Sequence, residues 1–208
     1  MKIGFIGCGN MGGALAKRCA SAGHQVMVSS RHKEKSEACA KECGENGSAG
    51  TVADAVEFGD VIFLAVPYSE VAAALKSAGD LKGKILVDIT NALTPDFSGL
   101  VVGFSTSAAE EIAKLAPNAK VVKAFNTLFA QVVANPQFKD GKAGVFVASD
   151  DADAKKKVME LSSDIGFEAY DAGPLKNARL IEPLGMLNIS LGYHLGMGTD
   201  IAFRLIRK

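Results

Sequence analysis

The stretch KIGFIGCGNMGG, residues 2–13, decides the expected fold. Its beginning, KIGFIG, predicts a short buried strand, and Gly7, Gly9 and Gly12 then follow in the spacing G-x-G-x-x-G. In that spacing the first glycine permits a tight turn out of the strand, and the second lets a pyrophosphate approach the backbone. The third lets the next helix pack closely on the sheet. The stretch therefore predicts a strand, a phosphate-binding turn and a helix.

The helix is expected to run from Met11 to about Ala22, with Asn10 as its cap. Met11, Leu15 and Cys19 recur every four residues and give it one apolar stripe. Free N–H groups and the helix dipole at its start would hold the phosphates of a dinucleotide. Asn10 and Met11 therefore join the three glycines in the predicted dinucleotide site.

Strands and helices alternate along most of the chain. Further strands are predicted at 24–30, 61–67, 84–89, 119–125, 144–149 and 167–172. Helices are predicted at about 33–42, within 50–60 and at about 151–165. Another helix is predicted to open with a capping box, Ser107 to Glu110, and to turn Ala108, Ile112 and Leu115 inward. This alternation predicts an α/β chain with a Rossmann-type, doubly wound and mostly parallel sheet.

The last part of the chain has a different pattern. Residues 1–175 carry the alternating elements, whereas residues 176–208 show no strand-like alternation and contain several glycines. We interpret the second range as an interrupted helical segment. It is expected to lie across the open end of the sheet, where it completes the acceptor site, or against a second subunit.

Composition and charge exclude several classes of partner. The 208 residues include 48% hydrophobic and 22% charged residues, and 23 basic residues balance 23 acidic ones. A balanced charge gives no reason to expect nucleic acid or a membrane surface as partner. No signal peptide is recognised, and the apolar runs are far shorter than the ~20 residues that span a bilayer. Cys8, Cys19, Cys39 and Cys43 lack metal-ligand spacing. We expect a cytoplasmic protein without a metal site.

The stretch VSSRHKEK, residues 28–35, predicts which nicotinamide nucleotide binds. It ends the second strand, where an acidic residue usually holds the ribose 2′-hydroxyl of NAD. Ser29 and Ser30 stand there instead, and their hydroxyls can donate to a 2′-phosphate. Arg31 can form a bidentate pair with that phosphate or stack on the adenine, and Lys35 adds positive charge. The stretch therefore favours NADP(H) over NAD(H).

The other half of the site is expected where three further strands end, since ligands of such sheets lie outside the carboxyl ends of the strands. The segments are AVPYSE (65–70), ITNAL (89–93) and AFNTL (124–128). The residues predicted to border the nicotinamide are Ala65, Val66, Pro67, Asn91, Ala92, Asn126 and Thr127. Turn chemistry is an equal alternative for Asn91, because Asn routinely satisfies local backbone groups. No acid–base pair stands out, but hydride transfer needs alignment and exclusion of water more than a proton donor.

Several blocks of the sequence resemble the coenzyme F420-dependent NADP oxidoreductase family. They are the glycine turn, SSRHKEK (29–35), FSTSAAEEIAKLAPNAKVVKAFNT (104–127), and DAGPLKNARLIEPLGMLN (171–188) with LGMG (195–198). The cytosolic domains of the STEAP metalloreductases are similar as well, including KAFNT (123–127). The resemblance implies a compact Rossmann domain, a homodimer, and hydride exchange between NADP(H) and a deazaflavin or flavin stacked on its nicotinamide.

The resemblance also implies roles for single residues. Ser30 and Arg31 match the family's ligands of the 2′-phosphate, and Met197 with its flanking glycines would wall the acceptor pocket. Asn126 stands where archaeal F420 enzymes have a histidine that contacts the deazaflavin, and Phe129 replaces a nearby proline. With Thr127 beside it, Asn126 is the expected catalytic position. These departures leave F420 and a flavin open as acceptors.

The sequence is compatible with three functions. The first is an NADPH-dependent oxidoreductase that moves hydride to or from F420, a flavin or a similar acceptor. The second is a flavin reductase or a small imine or carbonyl reductase; the pyrroline-5-carboxylate reductases share the N-terminal pattern but have a longer helical C-terminal domain. The third is a regulator that senses NADPH and catalyses nothing. We expect the first, because a mere sensor would not need the elaborate C-terminal segment.

Overall fold

A six-stranded parallel sheet is the centre of the structure, a computed structural model that describes residues 1–208. The strands are β1 Lys2–Ile6, β2 Gln25–Ser29, β3 Gly47–Gly50, β4 Val61–Leu64, β5 Ile85–Asp88 and β6 Lys120–Lys123. Their order in the sheet is β3-β2-β1-β4-β5-β6, and every neighbouring pair is parallel. The order reverses between β1 and β4, so the crevice of the sheet opens beside the glycine turn that follows β1. The predicted Rossmann-type fold is confirmed.

Helices and two smaller strand pairs surround this sheet. The α-helices are α1 Asn10–Ser21, α2 Lys33–Glu42, α3 Val52–Phe58, α4 Val71–Ala78, α5 Ala108–Leu115, α6 Ala130–Ala134, α7 Ala152–Asp164 and α8 Ala178–Ile189. The remaining strands are β7 Gln137–Phe138 and β8 Gly141–Lys142, which are antiparallel, and β9 Gly144–Val147 and β10 Glu168–Asp171, which are parallel. One antiparallel bridge, between Lys123 and Ala148, joins the β9–β10 pair to β6.

The central strands divide their side chains between two apolar clusters, one on each face of the sheet. Val61 and Phe63 of β4 pack in the cluster under α1, α2, α6 and α7. Ile62 and Leu64 pack in the cluster under α3, α4 and α5. All four are fully buried. A parallel strand covered on both faces needs apolar residues at every position, which is why this run was recognisable from the sequence.

Three local predictions are corrected by the structure. Asn10 is the first helical residue rather than the cap, because Gly9 occupies the cap position. Leu115 does not turn inward; α5 ends there, and its side chain is 55% exposed. Ser107 does cap α5 by accepting from Glu110 N at 3.2 Å, but the Glu110 carboxylate accepts from the Ser107 hydroxyl at 2.7 Å and from Arg179, not from the cap backbone.

The C-terminal segment is helical only in part. After α8 comes one π-helical turn at Ser190–His194, and residues 195–208 form no helix. This last stretch returns to the β9–β10 pair, where Phe203 O accepts from Gly144 N at 2.9 Å. The prediction of an interrupted helix holds for residues 178–194 and is wrong beyond them. Gly196 and Gly198 adopt positive φ values of 71° and 79°, which end the helical path.

The surroundings of His24 lead us to expect a fold that is sensitive to acid. Its side chain is buried, its Nδ1 accepts from the N-terminal ammonium group at 3.1 Å, and its Nε2 has no hydrogen-bond partner. Burial, and after it the positive N-terminus, lowers the pKa of His24 below its ordinary value of 6.5. The folded protein thus binds this proton less readily than the unfolded chain. The stabilising contribution is complete above the unfolded pKa and is lost as the pH falls through the folded pKa.

We therefore expect His24→Gln to flatten the fall in the free energy of unfolding below pH 6.5. Urea unfolding at a series of pH values measures this slope. His32→Gln is the matched control, since His32 is exposed. An unchanged slope in His24→Gln, or an equal change in the control, would show that His24 is not the group responsible.

Candidate active site

The glycine turn after β1 has the shape that phosphate binding needs. A Cβ atom on Gly12 would collide with Gly7 O and lie 2.9 Å from the Ala65 Cβ, and one on Gly7 would collide with Ala65 O. Gly7 also has a positive φ of 100°. A Cβ on Gly9, by contrast, would meet no atom within 4 Å. The first and third glycines therefore pack the turn against the end of β4, while Gly9 leaves the backbone open to a ligand.

The start of α1 is free to bind an anion. No side chain caps its first turn, and that turn contains no acidic residue. The first N–H groups of a helix have no partner within the helix, and they carry the positive end of its dipole. Together with the open approach at Gly9, these groups form a site that fits a pyrophosphate.

The predicted ligands of the 2′-phosphate in the turn after β2 differ in how far they are buried. Ser29 is fully buried, and its hydroxyl donates to Phe5 O at 2.7 Å. This bond holds β2 against β1 and occupies the hydroxyl proton that was expected to reach the 2′-phosphate, so the role of Ser29 in binding stays a prediction. Ser30 is half-buried, and its Oγ accepts from His32 N at 3.3 Å, which leaves the hydroxyl proton to donate. Lys35 is exposed on α2 nearby.

Arg31 already has one partner across the crevice. Its Nη1 donates to Glu70 Oε2 at 3.1 Å, and the two side chains are 78% and 40% exposed. An exposed pair of this kind contributes about 0–1 kcal/mol to stability, so a dianion can displace it. The sequence predicts no role for Glu70, because only the fold brings the segments that follow β2 and β4 together.

One cavity gathers residues from the predicted segments. It has a volume of about 270 Å³ and lies at the carboxyl ends of the strands. The predicted residues that line it are Asn10, Met11, Asn91, Asn126 and Thr127. The lining residues that sequence reasoning did not assign to it include Phe97, Gly185, Asn188 and Tyr193, together with Phe129. They come from the loop after β5, from the start of α6 and from the C-terminal segment.

Other predicted residues lie beside this cavity or away from it. Ala65 and Val66 are half-buried against the glycine turn, and Pro67 is exposed at the end of the same segment. Ala92 is fully buried behind the cavity wall. Met197 is 60% exposed and does not line the cavity, because the chain turns away after the π-helical turn. The structure therefore does not place Met197 in the wall of this cavity, where the resemblance puts it.

Two asparagine side chains hold each other at the cavity wall. Asn91 Nδ2 donates to Asn126 O at 2.8 Å, and Asn126 Nδ2 donates to Asn91 Oδ1 and to Ile181 O, both at 3.1 Å. Since carbonyl oxygens only accept, these bonds fix the orientation of both amides. Asn126 Oδ1 is then left buried without a hydrogen-bond partner.

The aromatic core sets the backbone turn that presents Asn126. Phe125 has a φ of +61°, in the left-handed region that residues other than glycine avoid. Its ring centroid lies 5.7 Å from those of Phe63 and Phe167, and Phe63 stacks on Phe5 at 4.8 Å. A backbone strain of about 1–3 kcal/mol persists only where the surrounding packing enforces it. The column of rings supplies that packing.

Helix α8 closes the cavity because Gly185 has no side chain. A Cβ there would lie 2.8 Å from Asn126 Nδ2 and 2.9 Å from both Asn126 O and Asn91 Oδ1. One turn further along, Asn188 Nδ2 donates to Thr127 O at 3.0 Å. The helix thus lies directly on the asparagine pair. A glycine inside an apolar helix, which costs about 1 kcal/mol relative to alanine, was the one sequence signal for this contact.

A Rossmann sheet with an open glycine turn and a cavity at the carboxyl ends of its strands defines a dinucleotide-binding protein. The family model described as "NADP oxidoreductase coenzyme F420-dependent" matches residues 2–92. The F420-dependent NADP reductase of Methanocaldococcus jannaschii is 33% identical over 97% of this chain and 97% of its own length. The chain belongs to the F420-dependent NADP oxidoreductase family, and it is an NADP-dependent oxidoreductase. The resemblance seen in the sequence is confirmed.

Two further comparisons agree with this assignment. A crystal structure from Arthrobacter sp. FB24, of a protein proposed to be an F420-dependent NADP-reductase, covers 100% of both chains with a TM-score of 0.90 and 30% identity. Metalloreductase STEAP3 of Rattus norvegicus is 34% identical over 89% of this chain, which spans 37% of the length of that protein. No helix here has both the length and the apolar character needed to cross a bilayer. No three His, Cys, Asp or Glu side chains are grouped to hold a metal ion.

Proposed function

We propose that the protein transfers a hydride between NADP(H) and F420 or a flavin-type acceptor whose ring binds beside Asn126. The proposal rests on the side-chain oxygen of Asn126, which is buried without a hydrogen-bond partner. Asn126 lines the cavity and is 4% exposed, and its Oδ1 accepts no hydrogen bond within the protein. An unsatisfied buried polar atom costs about 1–3 kcal/mol. A carboxamide or ring N–H group of a ligand would remove that cost.

In this proposal the dinucleotide extends across the carboxyl edge of the sheet. The α1 start and Gly9 hold the pyrophosphate, while Ser30 and Arg31 hold the 2′-phosphate with Lys35 adding positive charge. The segment 65–67 borders the nicotinamide ribose, and Asn91 orients the amide of Asn126. Residues 1–175 thus bind the nucleotide, and residues 176–208 complete the acceptor site through α8.

The cavity suits a flat ring that makes hydrogen bonds. Phe97, Phe129 and Tyr193 supply aromatic walls, with the last two edge to face at 5.4 Å between centroids. When both substrates are bound, the reduced nicotinamide supplies a hydride to the acceptor ring. The protein's own contribution is to align the rings and exclude water. F420 is the first candidate because the chain belongs to that family, and Asn126 in place of the family's histidine makes a flavin the second.

A comparison of acceptors tests the function. Purified protein is mixed with NADPH and F420, and then with FMN, FAD or riboflavin, while the absorbance of the acceptor is followed. We expect rapid transfer to F420. Transfer to flavins alone would assign a flavin reductase, and tight NADPH binding without transfer to any acceptor would contradict the enzyme proposal in favour of a sensor.

We also propose that the protein is a cytoplasmic homodimer. All four cysteines are free thiols, as is usual in a reducing compartment. Five large apolar side chains on α8 and the segment after it are 50% to 70% exposed: Leu180, Leu187, Tyr193, Leu195 and Met197. We propose that they form one surface that a second subunit covers. Light scattering at micromolar concentration is expected to give the dimer mass, and a monomer would contradict the proposal.

A further inference from the structure

A buried charge cluster joins three of the segments that build the cavity. Lys123, the last residue of β6, is fully buried. Its Nζ donates to Asp88 Oδ2 at 2.9 Å and to Thr90 O at 2.6 Å, and it forms an ion pair with Glu182 Oε1 at 3.1 Å. Three oxygen atoms thus surround the ammonium group. Because Asp88 ends β5 and Glu182 lies on α8, one side chain ties two strands to the helix that covers them.

The two carboxylates of this cluster are satisfied as well. Glu182 Oε2 accepts from Ala108 N at 2.8 Å, and Oε1 accepts from Ala109 N at 3.1 Å, at the start of α5. Asp88 Oδ1 accepts from Thr90 N at 2.8 Å. Burial alone would lower the pKa of Lys123, but the two nearby carboxylates outweigh it and raise that pKa above its ordinary value. Lys123 therefore stays charged inside the protein.

Stability alone does not account for such a cluster. Desolvation offsets most of the attraction in a buried ion pair, so apolar residues of similar volume often serve a core equally well. The location of the cluster indicates another role. Thr90 immediately precedes Asn91, and Glu182 immediately follows Ile181, whose carbonyl oxygen accepts from Asn126. The contacts of Lys123 with Thr90 and Glu182 are therefore each one residue away from a group of the asparagine pair or its anchor.

We propose that Lys123, with Asp88 and Glu182, positions the Asn91–Asn126 pair for hydride transfer without touching either substrate. The proposal rests on the proposed function of the same cavity. Without the cluster, the carbonyl of Ile181 and the backbone at Thr90 lose the anchor that sets their separation. Asn126 Oδ1 then no longer occupies the position that the ligand requires. These three are positioning residues, and Asn126 is the residue that meets the ligand.

Glu182→Gln is the variant that tests this role. It keeps the size of the side chain but replaces one carboxylate oxygen by an NH₂ group. That group must face either the Lys123 ammonium or the N–H groups of α5, so at least one bond is lost. Lys123→Met would leave two buried carboxylates unpaired and is expected to impair folding. Arg179→Met is the matched control, because Arg179 links the same two helices by bonds of 2.9 and 2.8 Å to Glu110, away from the asparagine pair.

For Glu182→Gln we expect kcat to fall at least ~10-fold while the KM for NADPH stays within about twofold. Arg179→Met is expected to retain both constants. In an Asn126→Ala background, Glu182→Gln should have little further effect on kcat, because the two residues act through one group. Additive losses in the double variant, or an equal loss of kcat in Arg179→Met, would overturn the proposal.

A second readout does not depend on turnover. The side-chain amide NMR signals of Asn91 and Asn126 are expected to shift or broaden in Glu182→Gln and to stay in place in Arg179→Met. Unmoved signals in Glu182→Gln would overturn the positioning role even if the protein transfers hydride. Failure of the wild-type protein to reduce any acceptor, with the amide signals responding as expected, would instead overturn only the proposed function.

Discussion

Arg31→Ala is expected to weaken NADPH binding by about 10- to 100-fold while changing NADH binding by less than about twofold. The guanidinium group is the cation nearest the turn after β2 that can make a bidentate pair with a phosphate, and its side chain is 78% exposed. NADH lacks the 2′-phosphate, so its affinity does not depend on this contact. Fluorescence titration of both nucleotides at one fixed ionic strength measures the two ratios.

Glu70→Gln is the opposing control for this result. Arg31 now shares its charge with Glu70 at 3.1 Å, so removal of the carboxylate frees the guanidinium and removes a repulsion toward the phosphate. We expect NADPH to bind up to about fivefold more tightly, with NADH unchanged, because exposed pairs are worth at most about 1 kcal/mol. Equal losses for both nucleotides in Arg31→Ala would refute the assignment of the 2′-phosphate site.

Gly185→Ala is expected to lower the rate of hydride transfer by about 100-fold and the free energy of unfolding by about 1–3 kcal/mol. The added Cβ would lie within 2.9 Å of Asn126 O, a backbone atom held by the strained turn at Phe125. The helix must therefore move away from the asparagine pair. Single-turnover kinetics and urea unfolding measure the two losses.

Gly103→Ala is the matched control for the helix variant. A Cβ on Gly103 would meet no atom within 4 Å, and its φ is not positive. We expect wild-type rates and stability from it. A wild-type rate in Gly185→Ala would mean that the contact between α8 and the asparagine pair has no part in the reaction.

The sequence predicted those parts of the fold that local patterns encode. The run VIFL predicts its strand because a strand covered on both faces must be apolar throughout, and the glycine spacing predicts the turn beside it. GSAG at 47–50 has no such signal; it is a strand because it pairs with the edge of β2. The burial of Ser29 was not predictable, because it depends on the strand register, which turns its hydroxyl toward Phe5 O.

The residues of the candidate site that follow strands could be predicted from the sequence, but the buried charged residues beside them could not. Asn126 and Asn91 follow strands, so the rule for carboxyl ends found them. No role was predicted for Lys123 and Glu182, because charged residues are expected at the surface. Only the fold shows that each is buried against the other. Phe97 lies in the long loop after β5 with a φ of +58°, a conformation that no residue pattern predicts.

Transfer of isotope tests the central claim most directly. NADPH in which deuterium replaces both hydrogens at C4 of the nicotinamide is incubated with F420 and the wild-type protein, and the reduced acceptor is analysed by mass spectrometry. We predict that the deuterium appears on the deazaflavin, and that Asn126→Ala slows its appearance while NADPH binding stays intact. Deuterium that remains on the nucleotide with F420 and with every flavin, under conditions where NADPH is bound, would contradict hydride transfer in this cavity.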